Sequence, residues 1–320
     1  MKINSYSENA LTSIEIYQNN DTIKSEKEQT SVATNAATYD EVCVVLELGS
    51  TSIHQVSGIY DSSGNVVGRS SNVATTALST IQKQRMQSQL SALQLYSGPI
   101  DGNINSNITT KAIDSFKKVY GFESITEQNE IVEKIEYIYG RFTEVMCSEG
   151  LKELTDEWGL DATQCRSFAI TWTFLQESLG FNDEQTAGIM GNLYAESKFS
   201  PDNAQDSYGY GGIHNTNYSY APSDGVGYGL AQWTSSSRKQ LLWNVSRNLG
   251  CSVSNINSQL ACMKEELING EYRSVYTKLN QDKSLYNATN VFLNSYEKPA
   301  VRNLETRLAY ANKIYDAMNE

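Results

Sequence analysis

Residues 188–201, GIMGNLYAESKFSP, limit what this chain can fold into more than any other stretch. Asn182 is a helix-capping residue, Gln185 stands where its side chain can reach back to that cap, and Pro201 lies just past the expected end. One helix over 183–197 follows. Glu196 falls in its last turn, with Asn192 and Ile189 on the same face and Leu193 beside them. The carboxylate is therefore expected to project from an apolar stripe packed on a core. Partial desolvation disfavours a charged carboxylate, and a carboxyl that keeps its proton near neutral pH can act as a general acid. A lone glutamate at the fringe of a core helix is ordinarily structural, but this one has company.

Residues 225–233, GVGYGLAQW, follow a loose Tyr/Gly/Asn/Ser run over 207–224. Gly227 and Gly229 permit close backbone approach, Tyr228 and Trp233 offer flat faces on which sugar rings stack, and Gln232 supplies an amide. Together they outline a glycan cleft. Asp202, Asp206 and Asp224 lie in loops that can face it, and Asp224, nearest to the glycine-rich segment, leads as a second acid against the plainer reading of a solvated loop residue.

The Glu-Ser-x-Phe helix end followed by Gly-Tyr-Gly-Leu-Ala-Gln-Trp resembles the phage tail-tip lysozyme family, relatives of goose-type lysozymes and lytic transglycosylases. The resemblance runs from about residue 163 to the C-terminus and includes GIMGNLYAES, GYGLAQWT, QLACMKEEL at 259–267 and SYEKPA at 295–300. It implies a lysozyme-like catalytic domain that cleaves the β-1,4 bond between N-acetylmuramic acid and N-acetylglucosamine. Glu196 would be the general acid and Asp224 a second catalytic candidate, with Asn192, Tyr228, Gly229, Gln232 and Trp233 binding substrate. A single glutamate can suffice in such relatives, so a lytic transglycosylase giving anhydro products is the alternative. A tail or baseplate structural protein, or a wall binder without turnover, is the reading from another class.

Upstream, Ile81, Met86, Leu90 and Leu93 have helical spacing, 96–102 (YSGPIDG) is a turn, and 109–122 is a second helix with Ala112, Ile113 and Phe116 inward. This segment resembles the peptidoglycan-binding type 1 module, a small three-helix wall-targeting domain. Met86, Gln87, Leu90, Tyr96, Asp101, Gly102, Thr109 and Phe116 carry the likeness. It departs at Asn105, Ser106 and Asn107, where the usual glycine is missing, and at Lys117, near the groove of such modules. Residues 76–122 carry five basic and two acidic side chains within a chain of net charge −12. No basic stripe exists to neutralise phosphates, which argues against nucleic acid as a partner.

The expected organisation is mainly α (α+β): a polar tail over 1–38, a small β unit and linker over 39–75, the wall-binding-like domain over 76–122, a helical connector over 123–162 and the catalytic domain over 163–320. The β unit rests on the run 42–48 and a hairpin over 58–68 with its turn at 62–65; residues 1–75 are a candidate surface for virion docking or self-association. Ile131, Ile135, Ile138, Phe142 and Val145 mark an amphipathic connector helix. Further helices are expected over 163–179, from Ser235 or Ser236 to Gly250, and around 256–268, 285–296 and 300–318. His54 and His214 are too few for a zinc site and no CxxC pair occurs, so no metal or cofactor is expected. His214 reads as a solvated loop residue. Cys251 and Cys262 are expected to be reduced thiols. No run of eighteen apolar residues and no apolar leader is present, so no membrane partner is expected, and a product made in the host cytoplasm would reach the wall after holin release or in a virion.

Overall fold

The computed structural model describes residues 78–205 and 218–319, together with the backbone of six short strands within residues 2–68. Those strands form three antiparallel pairs: β1 (Lys2–Asn4) with β4 (Val45–Glu47), β2 (Ile16–Gln18) with β3 (Asp21–Ile23), and β5 (Ile59–Tyr60) with β6 (Val66–Gly68). The hairpin expected over 58–68 is the β5–β6 pair. Two pairs involve residues of the stretch read as a polar tail, where a short apolar run was the only local strand signal.

The described remainder is helical. The helix α1 (Thr80–Ala92) opens with a capping box between Ser79 and Gln82, and α2 (Asn107–Tyr120) is capped by Ser106 and closed by Gly121 in the left-handed region. Met86, Leu90, Leu93, Ala112 and Phe116 are buried between them, as their spacing predicts. The turn joining the two is held by one buried amide. Gln87 Nε2 donates to the Tyr96 hydroxyl (3.1 Å), Asp101 Oδ1 (3.0 Å) and Thr109 Oγ1 (3.1 Å), and its Oε1 accepts from the Gly102 amide (2.8 Å). A buried side chain whose donors and acceptor are all used fixes a loop that has little apolar surface of its own.

The connector becomes two helices, α3 (Gln128–Met146) and α4 (Glu149–Trp158). The predicted stripe of Ile131, Ile135, Ile138, Phe142 and Val145 is buried, and α3 packs against α1 and against α5 (Ala162–Glu177). Ser148 caps α4 by accepting from the Leu151 amide (3.1 Å), which starts a new helix only two residues after α3 ends. The helix pair 80–120 shares one continuous core with the C-terminal half. Polar links reinforce it: Ser115 Oγ donates to Leu249 O (2.8 Å) and Asn257 Nδ2 to Leu93 O (2.8 Å).

At the centre are α5 and α6 (Asp183–Ser197), each opened by a capping box, Asp161 with Gln164 and Asn182 with Gln185. Both are buried over most of their circumference, as helices inside a bundle must be. Around them run α7 (Ser236–Leu249), α8 (Ile256–Ile268), α9 (Arg273–Gln281), α10 (Leu285–Val291) and α11 (Leu304–Asn319). The segment expected as one helix over 285–296 changes pitch midway, from α10 into a π-helical turn, Phe292–Glu297. Close helix crossings explain the two glycines of GIMGN. A Cβ on Gly188 would stand 2.7 Å from the Ala288 Cβ, and one on Gly191 would stand 2.7 Å from both the Ala311 amide nitrogen and the Arg307 carbonyl oxygen. Gly191→Ala is therefore expected to cost about 1–3 kcal/mol by overpacking α6 against α11. Gly140→Ala, in α3 with open space around it, is expected to stabilise by about 0.5–1 kcal/mol. Urea unfolding of the two variants checks both signs.

Candidate active site

Glu196 sits where α6 ends, and the backbone beyond it turns sharply. Lys198 (φ 52°) and Phe199 (φ 61°) are consecutive left-handed residues, a conformation that costs about 1–3 kcal/mol at non-glycine positions and persists only where packing over-determines it. Phe199 supplies that packing, being fully buried edge-on to Phe168 with ring centroids 5.1 Å apart. Gln164 Nε2 also caps the turn by donating to the Lys198 carbonyl (2.9 Å). Among the described residues five non-glycine positions have positive φ, and four of them, Lys198, Phe199, Gln232 and Lys298, lie in the three segments that carry Glu196, Gln232 and Glu297.

The Glu196 side chain is 15% exposed and its Oε1 accepts from Arg307 Nη2 of α11 (2.5 Å). The same guanidinium donates through Nη1 to Asn192 Oδ1 (3.1 Å) and to the Asn192 carbonyl (3.3 Å). Asn192 and Ile189 do share the face of Glu196 and are buried, so the predicted helix geometry holds. What the stripe reading lacked is the arginine, 111 residues away in the chain. No local spacing could have announced it.

The glycine-rich segment folds as a tight antiparallel turn in which Tyr228 and Trp233 exchange backbone hydrogen bonds (3.2 and 3.0 Å). Gly229 (φ 76°) lies against the Gln259 side chain, where an added Cβ would meet its amide at 2.6 Å. Gln259 Oε1 accepts from the Leu230 amide (2.8 Å) and its Nε2 donates to Val253 O (2.8 Å) and to Pro201 O. Asn203 joins this turn to the end of α6: its Nδ2 donates to the Glu196 carbonyl (3.3 Å), and its own carbonyl accepts from the Gly229 amide (2.8 Å) and from Gln232 Nε2 (3.2 Å). Glu196, Asn203 and the half-buried Gln232 thus belong to one rim.

Two expected sugar-stacking faces are corrected by this geometry. Trp233 is fully buried, donating from Nε1 to Glu266 Oε2 (3.1 Å), and Tyr228 is 6% exposed. An aromatic next to glycines fits a core as readily as a cleft, and here the short turn folds both rings inward. Asn192 and Gly229 are likewise buried and act on the rim from beneath. Asp206 and His214 lie outside the described residues. Asp202 is half-buried and accepts from Ser200 Oγ (2.6 Å).

Asp224 is not loosely solvated either. It accepts from the fully buried Lys239 ammonium, from the Tyr218 hydroxyl (2.6 Å) and from the Val226 amide (3.0 Å). Burial works against its charge, yet these three donors together hold the carboxyl below its ordinary range. Lys239, lowered chiefly by burial, donates also to Val226 O (2.9 Å) and the Tyr218 hydroxyl (2.7 Å). A buried ion pair underlies the rim, with Arg238 forked onto Glu266 (2.6 and 3.0 Å) and set over the rings of Tyr272 and Tyr296. Among the described residues no three His, Cys, Asp or Glu side chains gather as a metal cluster, Cys165, Cys251 and Cys262 are free thiols, and no helix is long and apolar enough to cross a membrane.

A glutamate at a strained helix end, bound by a rim of glycine-rich turn, is the arrangement on which comparison with known families bears. Residues 168–318 are similar to the phage tail lysozyme family. The family model described as Phage tail lysozyme matches that segment, from α5 to α11. At the level of the family this carries a lysozyme-like, peptidoglycan-lytic role and an association with phage particles. Among curated proteins and among solved structures nothing matches the chain significantly. The match places Glu196, Asp224, Gln232, Glu297 and Arg307 of this chain inside the lysozyme segment and leaves residues 78–167 outside it.

Because Asp224 is locked to a buried cation, Asp224→Asn is expected to lower stability by about 2 kcal/mol or more. Turnover of the folded protein should stay close to wild type. Its depressed titration also means that its stabilising contribution is present above about pH 4 and is lost as the pH falls through the folded-state value. Thermal melts between pH 3 and 7 with rates on purified walls check this; a large loss of rate at unchanged melting temperature would make Asp224 catalytic.

Proposed function

We propose that this chain hydrolyses the β-1,4 bond between N-acetylmuramic acid and N-acetylglucosamine in bacterial peptidoglycan, with Glu196 as the general acid. The position of Glu196 carries the reading: its carboxyl is reachable from solvent on one side and braced by Arg307 on the other, at the meeting point of α6, residues 201–205 and the turn 227–233. Glycoside cleavage requires a proton at the leaving oxygen and stabilisation of an oxocarbenium-like transition state. A carboxyl held in one place by a fixed frame meets the first need without reorganisation.

Gln232 offers its amide to sugar hydroxyl or acetamide groups. The half-exposed rings of Tyr218 and Tyr220, packed on Tyr228 at centroid distances of 5.3 and 5.1 Å, take over the stacking role first given to Tyr228 and Trp233. Asp224 keeps to the scaffold. Residues 76–122 serve as the wall-directed part of the chain, and the enzyme works at the wall, reached after holin release or as part of a virion.

Mass spectrometry of borohydride-reduced fragments from purified peptidoglycan tests the reaction. The wild type is expected to give reduced muramic acid ends, and Glu196→Gln, with its fold intact, to lose at least about a hundredfold in rate. Anhydro-muramic ends would make the enzyme a transglycosylase instead, and a fully active Glu196→Gln protein would remove Glu196 from the chemistry.

A further inference from the structure

The helix α7 carries a large aromatic that the core does not use. Leu242 and Leu249 are buried in that core and Leu241 and Val245 pack against it, whereas Trp243 stays outside, half-exposed. Its ring lies parallel to that of Tyr220, with 5° between the planes and 6.2 Å between the centroids, an offset pair of half-exposed faces. Tyr220 is held from beneath. Its hydroxyl donates to Lys239 O (2.7 Å), its ring lies over the fully buried Lys239 ammonium (4.8 Å), and its edge meets Tyr228 (5.1 Å). Tyr228 in turn pairs through its backbone with Ala204, in the loop that follows Glu196. The two rings therefore continue the rim of the candidate active site along α7. At their far end stands Arg247, one helical turn beyond Trp243 and on the same face, with its guanidinium 5.9 Å from the indole ring. Arg247 is exposed and is paired with no carboxylate among the described residues. The Lys118 ammonium of α2 donates to the carbonyl of the adjacent Asn248 (3.2 Å), bringing a second exposed cation to this end.

We propose that Tyr220, Trp243 and Arg247 form a further subsite, taking a sugar ring of the peptidoglycan strand on the two aromatic faces and a stem-peptide carboxylate on Arg247. The proposal rests on the reading of peptidoglycan as the substrate. A sugar ring presents a flat face of C–H groups that packs on an aromatic plane, while its hydroxyls and acetamide remain free for polar partners. Rings already fixed by Lys239 and Tyr228 lose little freedom when a ligand is bound, so more of the contact appears as affinity. Naked glycan offers nothing to a guanidinium, but the stem peptide carries carboxylates, for which arginine is suited by its planar fork. In a chain of net charge −12, cations beside an aromatic face complement an anionic strand. The subsite thus separates peptide-bearing wall from bare glycan.

The test is the rate of cleavage of solubilised, uncross-linked glycan strands, with and without stem peptides, by the wild type, Trp243→Ala and Arg247→Gln. Melting temperatures and co-sedimentation with intact walls accompany it. Loss of a contact made equally in ground and transition states raises KM and spares kcat. Trp243→Ala is expected to raise KM about tenfold on both strands, and Arg247→Gln to raise it about tenfold on peptide-bearing strands alone. A merely structural role for either residue would lower the melting temperature without telling the two strands apart. Wild-type KM and wall binding in both folded variants would overturn the subsite and leave the proposed reaction standing. If the wild type sediments with walls but cleaves neither strand, the reaction falls, and weakened or unchanged sedimentation of the variants upholds or overturns the subsite by itself. A wild type that neither binds nor cleaves overturns both. Loss of self-association in Trp243→Ala at unchanged KM would assign the aromatic face to a second copy of the chain and overturn the proposal. Arg247, being exposed, keeps the test open should Trp243→Ala fail to fold.

Discussion

Arg307 reaches from α11 into the side of α6 and there meets both the carboxyl of Glu196 and the side chain and carbonyl of Asn192. Much of the site depends on that contact. The guanidinium is 8% exposed and the carboxylate 15%, so each charge has lost most of its water and leans on the other. Charge-assisted bonds of this kind are stronger than neutral ones, and removing one partner strands the other. The crossing that makes the contact possible is made by Gly191, whose missing side chain lets the backbone of α11 lie against α6. Sequence, packing and site thus meet in one place: a glycine fixes the approach of two helices, and the approach sets an arginine on a glutamate.

Around this contact the chain is tied down by polar side chains rather than by regular structure. The loop after α6 has too few residues to make a core, yet Asn203 and Gln259 use their amides to clip it to the turn 227–233, and Phe199 fills the space beneath it. Beneath the turn, Trp233, Arg238 and Tyr296 converge on the buried carboxylate of Glu266. Such networks are high-stakes, since each is stable only while every member is satisfied. Positive φ at Lys198, Phe199, Gln232 and Lys298 is then backbone strain borne by a frame rigid enough to hold it, which suits a site that must keep a proton donor still.

What was legible in the sequence was local. The capping box of Asn182 and Gln185 located α6, Ser235 and Gly250 bounded α7, and the stripe of α3 is buried where its spacing put it. Two helices escaped notice because their start signals are weak. Ser148 opens α4 immediately after α3, where one long connector helix was the simpler reading, and α9 begins after Tyr272 with no side-chain cap. The burial of Tyr228 and Trp233 was illegible, because a ring between glycines looks the same whether it faces solvent or core. The partners of the acidic residues were illegible for a different reason. Arg307 on Glu196 and Lys239 on Asp224 are chosen by tertiary packing, and neither arginine nor lysine carries a spacing signature of its own.

The most direct measurement of this account is a double-mutant cycle on unfolding free energy with Glu196→Gln, Arg307→Met and the double variant. If Arg307 sets Glu196 in place, the two changes are expected to be non-additive by about 1–3 kcal/mol. Additive effects would mean that the arginine and the glutamate do not depend on each other, and the site would need a different foundation.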